Sequence, residues 1–214
     1  MIVAISGIDG AGKTTQIEAL LDYFNQKRYR AIRLWSRGGY TPVYNMLKSV
    51  LRFFLGKKLP SPGKTAQREK MLSTGKIGKL WLAIAIIDLM LYYGIYMRLL
   101  SILFRKTVIA DRYLIDTYID FRINFRSVCF YKWKLWKLLV FVAPKPSHSF
   151  LLTIPLHEAE KRAAVKKEPY PDSDTVRVLR YRYYQKCAKM MAQIDCMQNI
   201  ETVTGKLIAI IERK

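Results

Sequence analysis

The residues Gly7 to Thr15 read GIDGAGKTT and follow directly on the apolar run MIVAIS. The spacing G-x-x-x-x-G-K-T, set between a strand-like run and a helical one, is the pattern of a phosphate-cradling P-loop. Glycines at 7, 10 and 12 let backbone N–H groups turn onto phosphate oxygens with no Cβ in the way, and the helix N-terminus behind them adds partial positive charge. The pattern assigns Gly7, Gly10, Ala11, Gly12, Lys13, Thr14 and Thr15 to the phosphates of ATP. Lys13 would reach the β- and γ-phosphates, and the Thr14 hydroxyl would sit on Mg²⁺. The open question is what lies across from the phosphate.

The rest of the chain alternates strand-like apolar runs with helical periodicity, which predicts an α/β fold on a parallel sheet. Strands are expected at Ile2–Ser6, Ala31–Trp35, Val108–Asp111, Ser149–Ile154 and Met191–Asp195, five in all. Ile17, Leu20, Leu21 and Phe24 mark one face of the helix after the loop. A later helix, capped by Asp172 or Ser173, carries Val176, Leu179, Tyr183 and Cys187 on one face. The last helix uses Ile200, Val203, Leu207 and Ile210 and ends in ERK, where basic residues suit a helix C-terminus. A length of 214 residues suits one domain, 1–214, with an insertion around 52–79 rich in Gly, Pro, Ser and Lys.

Two apolar stretches need separate reading. MIVAIS lacks a basic leader and runs into the loop, so it reads as a buried strand and not a signal peptide. Leu80 to Phe104 is long and apolar enough to suggest a membrane span. Asp88 and Arg98 interrupt it and a strand follows at once, so a buried core helix is the expectation. Cys129, Cys187 and Cys196 show no metal-ligand spacing and read as small packed side chains in a reducing compartment. His148 and His157 have no partner at metal spacing.

Charge sets this chain apart. It holds 37 basic and 16 acidic residues, a formal net charge of +21. Small phosphates need only a few cations, so a polyanionic partner enters the reading. Between Arg37 and Lys106 lie thirteen basic residues against two acids, Glu69 and Asp88, and Phe121–Val142 adds five basic residues and no acid. In that second segment Phe121, Phe125, Phe130, Tyr131, Trp133 and Trp136 interleave with the cations. The alternatives are a helix lying in an anionic membrane surface and a solvated basic face over a buried aromatic core. Nucleic acid is disfavoured, because no RNA- or DNA-binding motif is present.

Chemistry beyond the loop gathers at strand ends. VIADRY closes the third strand with Asp111, Arg112 and Tyr113, and in parallel α/β sheets ligands sit outside the carboxyl ends of the strands. Asp111 would hold magnesium through water, and Arg112 would grip an acceptor phosphate or the transferring group. LWSRGGYTP puts Arg37 on the same rim, where the two arginines would form a phosphate clamp. Arg162, Lys166 and Lys167 follow the fourth strand, in a basic lid around 158–172 able to close over the triphosphate.

In sequence order, GIDGAGKTT, SRGGYTP, VIADRY, PKPSHSFLL, EAEKRA and QIDCMQNIETV resemble the landmarks of the thymidylate kinase family of P-loop nucleoside monophosphate kinases, over nearly the whole chain. The resemblance implies a P-loop kinase fold, a five-stranded parallel sheet with helices on both faces and the lid. It also implies ATP and Mg²⁺, and γ-phosphate transfer to a phosphorylated small-molecule acceptor. Asp9 resembles the acid that contacts the acceptor sugar, and Arg37, Arg112 and Tyr113 fall on the acceptor side. Gly10 stands where some members carry an arginine, so the catalytic cation would come from Arg162, Lys166 or Lys167, with Lys13 and Arg112.

The acceptor half departs from the family pattern. Ile84 and Asp88 lie roughly where a stacking Phe and a base-binding Arg are implied, so dTMP is expected to be a poor acceptor. Four classes compete. A nucleoside kinase would need a general base at the end of the second strand, and WSRGG offers none. A non-enzymatic nucleotide switch leaves Asp111, Arg112 and the lid without a role. A nucleoside monophosphate kinase fits best, and a kinase for a lipid-linked or sugar phosphate at a membrane is the alternative. The expected location is cytoplasmic, and the reading leaves room for a peripheral place on the inner face of the membrane and for a homodimer.

Overall fold

In the computed structural model, residues 1–36, 41, 75–165 and 172–213 are described. Five strands form one parallel sheet: β1 (Ile2–Gly7), β2 (Ala31–Trp35), β3 (Thr107–Asp111), β4 (His148–Thr153) and β5 (Ala192–Asp195). They stand in the order β2-β3-β1-β4-β5. β1 and β3 are buried along their whole length, because parallel strands are covered on both faces. That explains why they read as continuous apolar runs and not as alternating ones. All five expected strands are present, with ends moved by a residue or so.

The helices are α1 (Lys13–Gln26), α2 (Gly75–Leu91), α3 (Leu114–Asn124), α4 (Lys134–Val142), α5 (Leu156–Val165), α6 (Asp174–Cys187) and α7 (Ile200–Glu212). α1 buries Ile17, Leu20 and Phe24 as the periodicity predicts, and also Gln16. Gln16 donates to the Ile200 carbonyl at 3.3 Å and accepts from Thr204 at 2.8 Å, which ties α1 to α7. Asn199 caps α7 by accepting from the Thr202 N–H at 2.8 Å.

α6 corrects one expectation. Val176, Leu179, Tyr183 and Cys187 are only half-buried, and the buried positions are Arg180 and Tyr184. Arg180 is held by Asp172 at 2.8 Å and Tyr184 by Asp116. Polar residues with buried partners take the inward face here, a choice that an apolar period does not reveal.

The residues fall into two compact units. The first comprises Met1–Ser36, Leu99–Asp116 and Lys145–Lys214, and holds the sheet. The second comprises Arg37–Arg98 and Thr117–Pro144. In the second, α2 passes into wider π-type turns over Tyr92–Met97. Leu82, Ile86, Leu89, Tyr93 and Met97 are fully buried, which accords with the core-helix expectation for that face. These turns meet α4 at Gly94, where a Cβ would come within 3.3 Å of Val142. The rings of Tyr118, Phe121, Phe130 and Trp136 pack against one another, with Phe130 and Trp136 centroids 4.9 Å apart. Four aromatics of Phe121–Val142 are therefore turned inward, while Phe141 is exposed. Phe121, Phe125, Phe130 and Trp136 are core, with Lys132, Lys134 and Lys137 exposed around them.

Candidate active site

The site is built within the first unit, at the carboxyl ends of β1 and β3. These strands are neighbours, with Ile5 opposite Asp111. β1 ends at Gly7, and the chain turns through Gly10 and Gly12 at φ of 88° and 83° before entering α1. Only glycine adopts this left-handed conformation freely. Gly10 has a second reason to be glycine: a Cβ there would lie 2.6 Å from the Ala159 carbonyl oxygen of α5. An arginine at position 10 is thus shut out sterically, which gives a physical basis for the departure noted at that position.

The first turn of α1 carries no acid, so its N-terminal partial positive charge is left unneutralised. Lys13 is buried and donates to the carbonyls of Gly7 at 2.9 Å and Ile8 at 2.8 Å. Asp9 lies 3.5 Å from its ammonium. Burial, followed by the charge of Arg112, lowers the Lys13 pKa to about 8. An incoming anion would favour the charged form and raise the pKa again. Thr14 is half-buried and Thr15 exposed on the same turn, with Ala11 buried behind the loop.

Arg112 reaches the loop from β3. Its backbone is left-handed at φ 73°, anchored by its N–H to the Ile5 carbonyl at 3.0 Å and by Ser36 donating to its own carbonyl at 3.1 Å. Its guanidinium donates to Asp9 at 2.5 Å. Asp9, Lys13 and Arg112 therefore form one cluster, with Asp9 bridging the two cations.

Asp111 is not paired with Arg112. It accepts from both Nε and Nη2 of Arg33 on β2, the Nε bond at 3.1 Å. Sequence reasoning passed over Arg33 as one more cation in a basic chain. It also missed Asp116. This buried carboxylate accepts from Ser6 Oγ at 2.6 Å, the Tyr113 N–H at 2.9 Å and Tyr184 OH at 2.5 Å. It joins β1, the turn after β3, and α6. Burial, and then the Asp116 charge, push the Tyr184 phenol well above its ordinary value. The available signal was an acid five residues past Asp111 in a chain poor in acids.

Arg162 lies on α5, so this part of the expected lid is helical. Its Nε donates to Glu158 at 3.1 Å and its Nη1 to the Cys196 carbonyl at 3.3 Å. Arg37, Lys166 and Lys167 lie outside the described residues, as does most of the expected insertion. Among the described residues no three His, Cys, Asp or Glu side chains gather as a metal site. In the second unit, Ile84 is half-buried, and the buried Asp88 accepts a hydrogen bond from Thr41.

The sheet order and the loop at its centre are those of an α/β fold consistent with the P-loop kinases. No family model matches the chain. The chain is similar to a protein of Thermococcus kodakarensis (strain ATCC BAA-918 / JCM 12380 / KOD1) described as "Probable thymidylate kinase". The two are 27% identical over 224 residues, spanning 99% of this chain and 97% of the relative. This distant likeness supports a kinase-like phosphotransferase.

Proposed function

We propose that the protein transfers the γ-phosphate of ATP to a phosphate-bearing small molecule, with a nucleoside monophosphate as the first acceptor class. The observation that carries this reading is the Asp9–Lys13–Arg112 cluster, which couples the glycine-rich loop to the end of the adjacent strand. In the reaction, an acceptor phosphate oxygen bonds to the γ-phosphorus. The bond from that phosphorus to the β–γ bridging oxygen breaks, and ADP leaves with the oxygen.

Lys13 would exchange its loop carbonyls for β- and γ-phosphate oxygens, where its charge opposes the developing negative charge. Arg112, with Arg37, would hold the acceptor phosphate, and Tyr113 lies beside it in the turn. Asp9 would be released by Arg112 to an acceptor hydroxyl. Arg162 would have to leave Glu158 to join Lys166 and Lys167 over the phosphates.

Mg²⁺ fits this donor set, because it keeps most of its waters and needs few protein ligands. The Thr14 hydroxyl would bind it directly and Asp111 through water, with Arg33 orienting the carboxylate. When bound, the ion neutralises charge on the triphosphate.

A second reading rests on Asp88. A carboxylate bonded to Thr41, where the resemblance implies an arginine, supplies no donor for a thymine carbonyl. This favours a sugar phosphate or lipid-linked phosphate as acceptor. The test is a radiolabelled ATP transfer screen across nucleoside monophosphates, sugar phosphates and lipid phosphates. Label in a nucleoside diphosphate supports the first reading, and label in a sugar or lipid product supports the second. Label released only as inorganic phosphate sinks both.

A further inference from the structure

We propose that the second unit docks on an anionic lipid bilayer through an exposed aliphatic stripe of α2 and its continuation, together with the outer face of α4. The basis differs from the ring cluster considered from sequence, since Phe121, Phe125, Phe130 and Trp136 are core. Ile87, Leu91 and Ile95 are each about half exposed and are spaced by four along one helix. The opposite face of that helix is fully buried. The π-type turns beginning at Tyr92, wider than those of an α-helix, keep side chains spaced by four close to one face. At the Gly94–Val142 crossing, the neighbouring residues Ile95 and Phe141 are both exposed, Phe141 by 82%.

Charge selects the occupant. Among the described residues of this unit the acids are Asp88 and Asp120, and both are buried. Lys79, Arg98, Arg126, Lys132, Lys134 and Lys137 are exposed. Among the described residues, an apolar stripe with exposed cations on the same helices and no exposed acid matches hydrocarbon beneath anionic headgroups. A second copy of the chain would bring like charges together with no exposed acid among these residues to answer them. A nucleic acid would satisfy the cations and leave Leu91, Ile95 and Phe141 without a partner.

The helix does not cross the bilayer in this arrangement. Gly78–Leu103 is long and apolar enough to span, yet one side is committed to the protein core and Asp88 is buried midway. The surface lies on the membrane and does not span it.

The experiment is sedimentation of the full-length protein with phosphatidylglycerol-containing vesicles and with phosphatidylcholine vesicles, each at low and high salt. Binding is expected to the anionic vesicles, and to weaken with salt. The double variant Leu91→Gln/Phe141→Gln changes exposed positions only, so its melting temperature should be unchanged. Its partitioning should fall by about tenfold or more, as loss of two large apolar side chains implies. Lys134→Gln/Lys137→Gln should lower binding and flatten its salt dependence. Equal binding of the Leu91/Phe141 variant overturns the proposal, as does absence of binding by the parent. A lipid-free dimer broken by Leu91→Gln would show that a second copy covers the stripe, and also overturns it. No turnover is measured, so failure here leaves the phosphotransfer reading standing, and failure of the transfer screen leaves this one standing.

Discussion

At the scale of single residues, Lys13 is where the electrostatics concentrate. Lys13→Ala is expected to lower phosphate transfer from ATP by about a hundredfold or more, the usual worth of such a preorganised cation. Because its free-state partners are two loop carbonyls, circular dichroism and melting should show the fold retained. Retention of most of the turnover would remove the residue from the chemistry. Its pKa gives a second test. The folded value of about 8 lies below the ordinary value of 10.5, so the unfolded chain binds more protons between those limits. The Lys13 contribution to stability therefore improves as pH rises through that window. Its charge is lost over the same range, so ATP affinity should weaken as pH passes about 8, read by calorimetric titration across that value. A flat profile would mean that the ammonium does not meet the phosphates. Arg112→Ala and Arg37→Ala should impair use of the acceptor far more than binding of ATP. Steady-state kinetics in which only the ATP term moves would take the acceptor role from them.

Elements meet at Asp116, and three donors from three parts of the chain depend on it. Asp116→Asn keeps the shape but turns one accepting oxygen into an NH₂ group. The Tyr113 N–H must keep its oxygen, which Ser6 shares, so the amide nitrogen is left facing Tyr184. The expected cost is about 1–3 kcal/mol, seen as a lowered melting temperature. The same turn holds Arg112 at a positive φ, so acceptor KM should rise more than ATP KM. An unchanged melting temperature together with unchanged KM would show that the network is incidental. The contact between α5 and the glycine-rich loop acts at the same scale. The Ala159 backbone against Gly10 leaves no room for a loop arginine, and the same helix, α5, carries Arg162.

For the whole molecule the issue is which acceptor the protein uses. dTMP is expected to be a poor substrate, because Asp88 and Ile84 stand where a base donor and a stacking ring are implied. A missing buried donor can cost several orders of magnitude in discrimination. Efficient dTMP phosphorylation in a coupled assay would restore the ordinary activity of the resembled family. The thirty-seven basic residues act at this scale as well. Among the described residues of the second unit, Lys79, Arg98, Arg126, Lys132, Lys134 and Lys137 are exposed, whereas several in the first unit, Lys13, Arg33, Arg112 and Arg180, are paired with acids.

The strands, the loop and the outline of the candidate site were legible in the sequence because each rests on a local signal. A buried parallel strand is a short apolar run, and a phosphate loop is a glycine spacing between strand and helix. What pairs with what was not legible. Arg33 meets Asp111 across 78 positions of chain, through the register of β2 on β3. Ser6 meets Asp116 across 110. The inward face of α6 went unrecognised because Arg180 and Tyr184 are polar, and their burial is tolerable only with Asp172 and Asp116 beside them. Phe121, Phe125, Phe130 and Trp136 turn inward while Ile87, Leu91 and Ile95 stay outside for a related reason. Composition shows how much apolar surface a helix carries, but only packing decides which side is covered. Local spacing determined the elements and their chemistry, and tertiary structure decided the partners of the buried charges and which apolar face was left exposed.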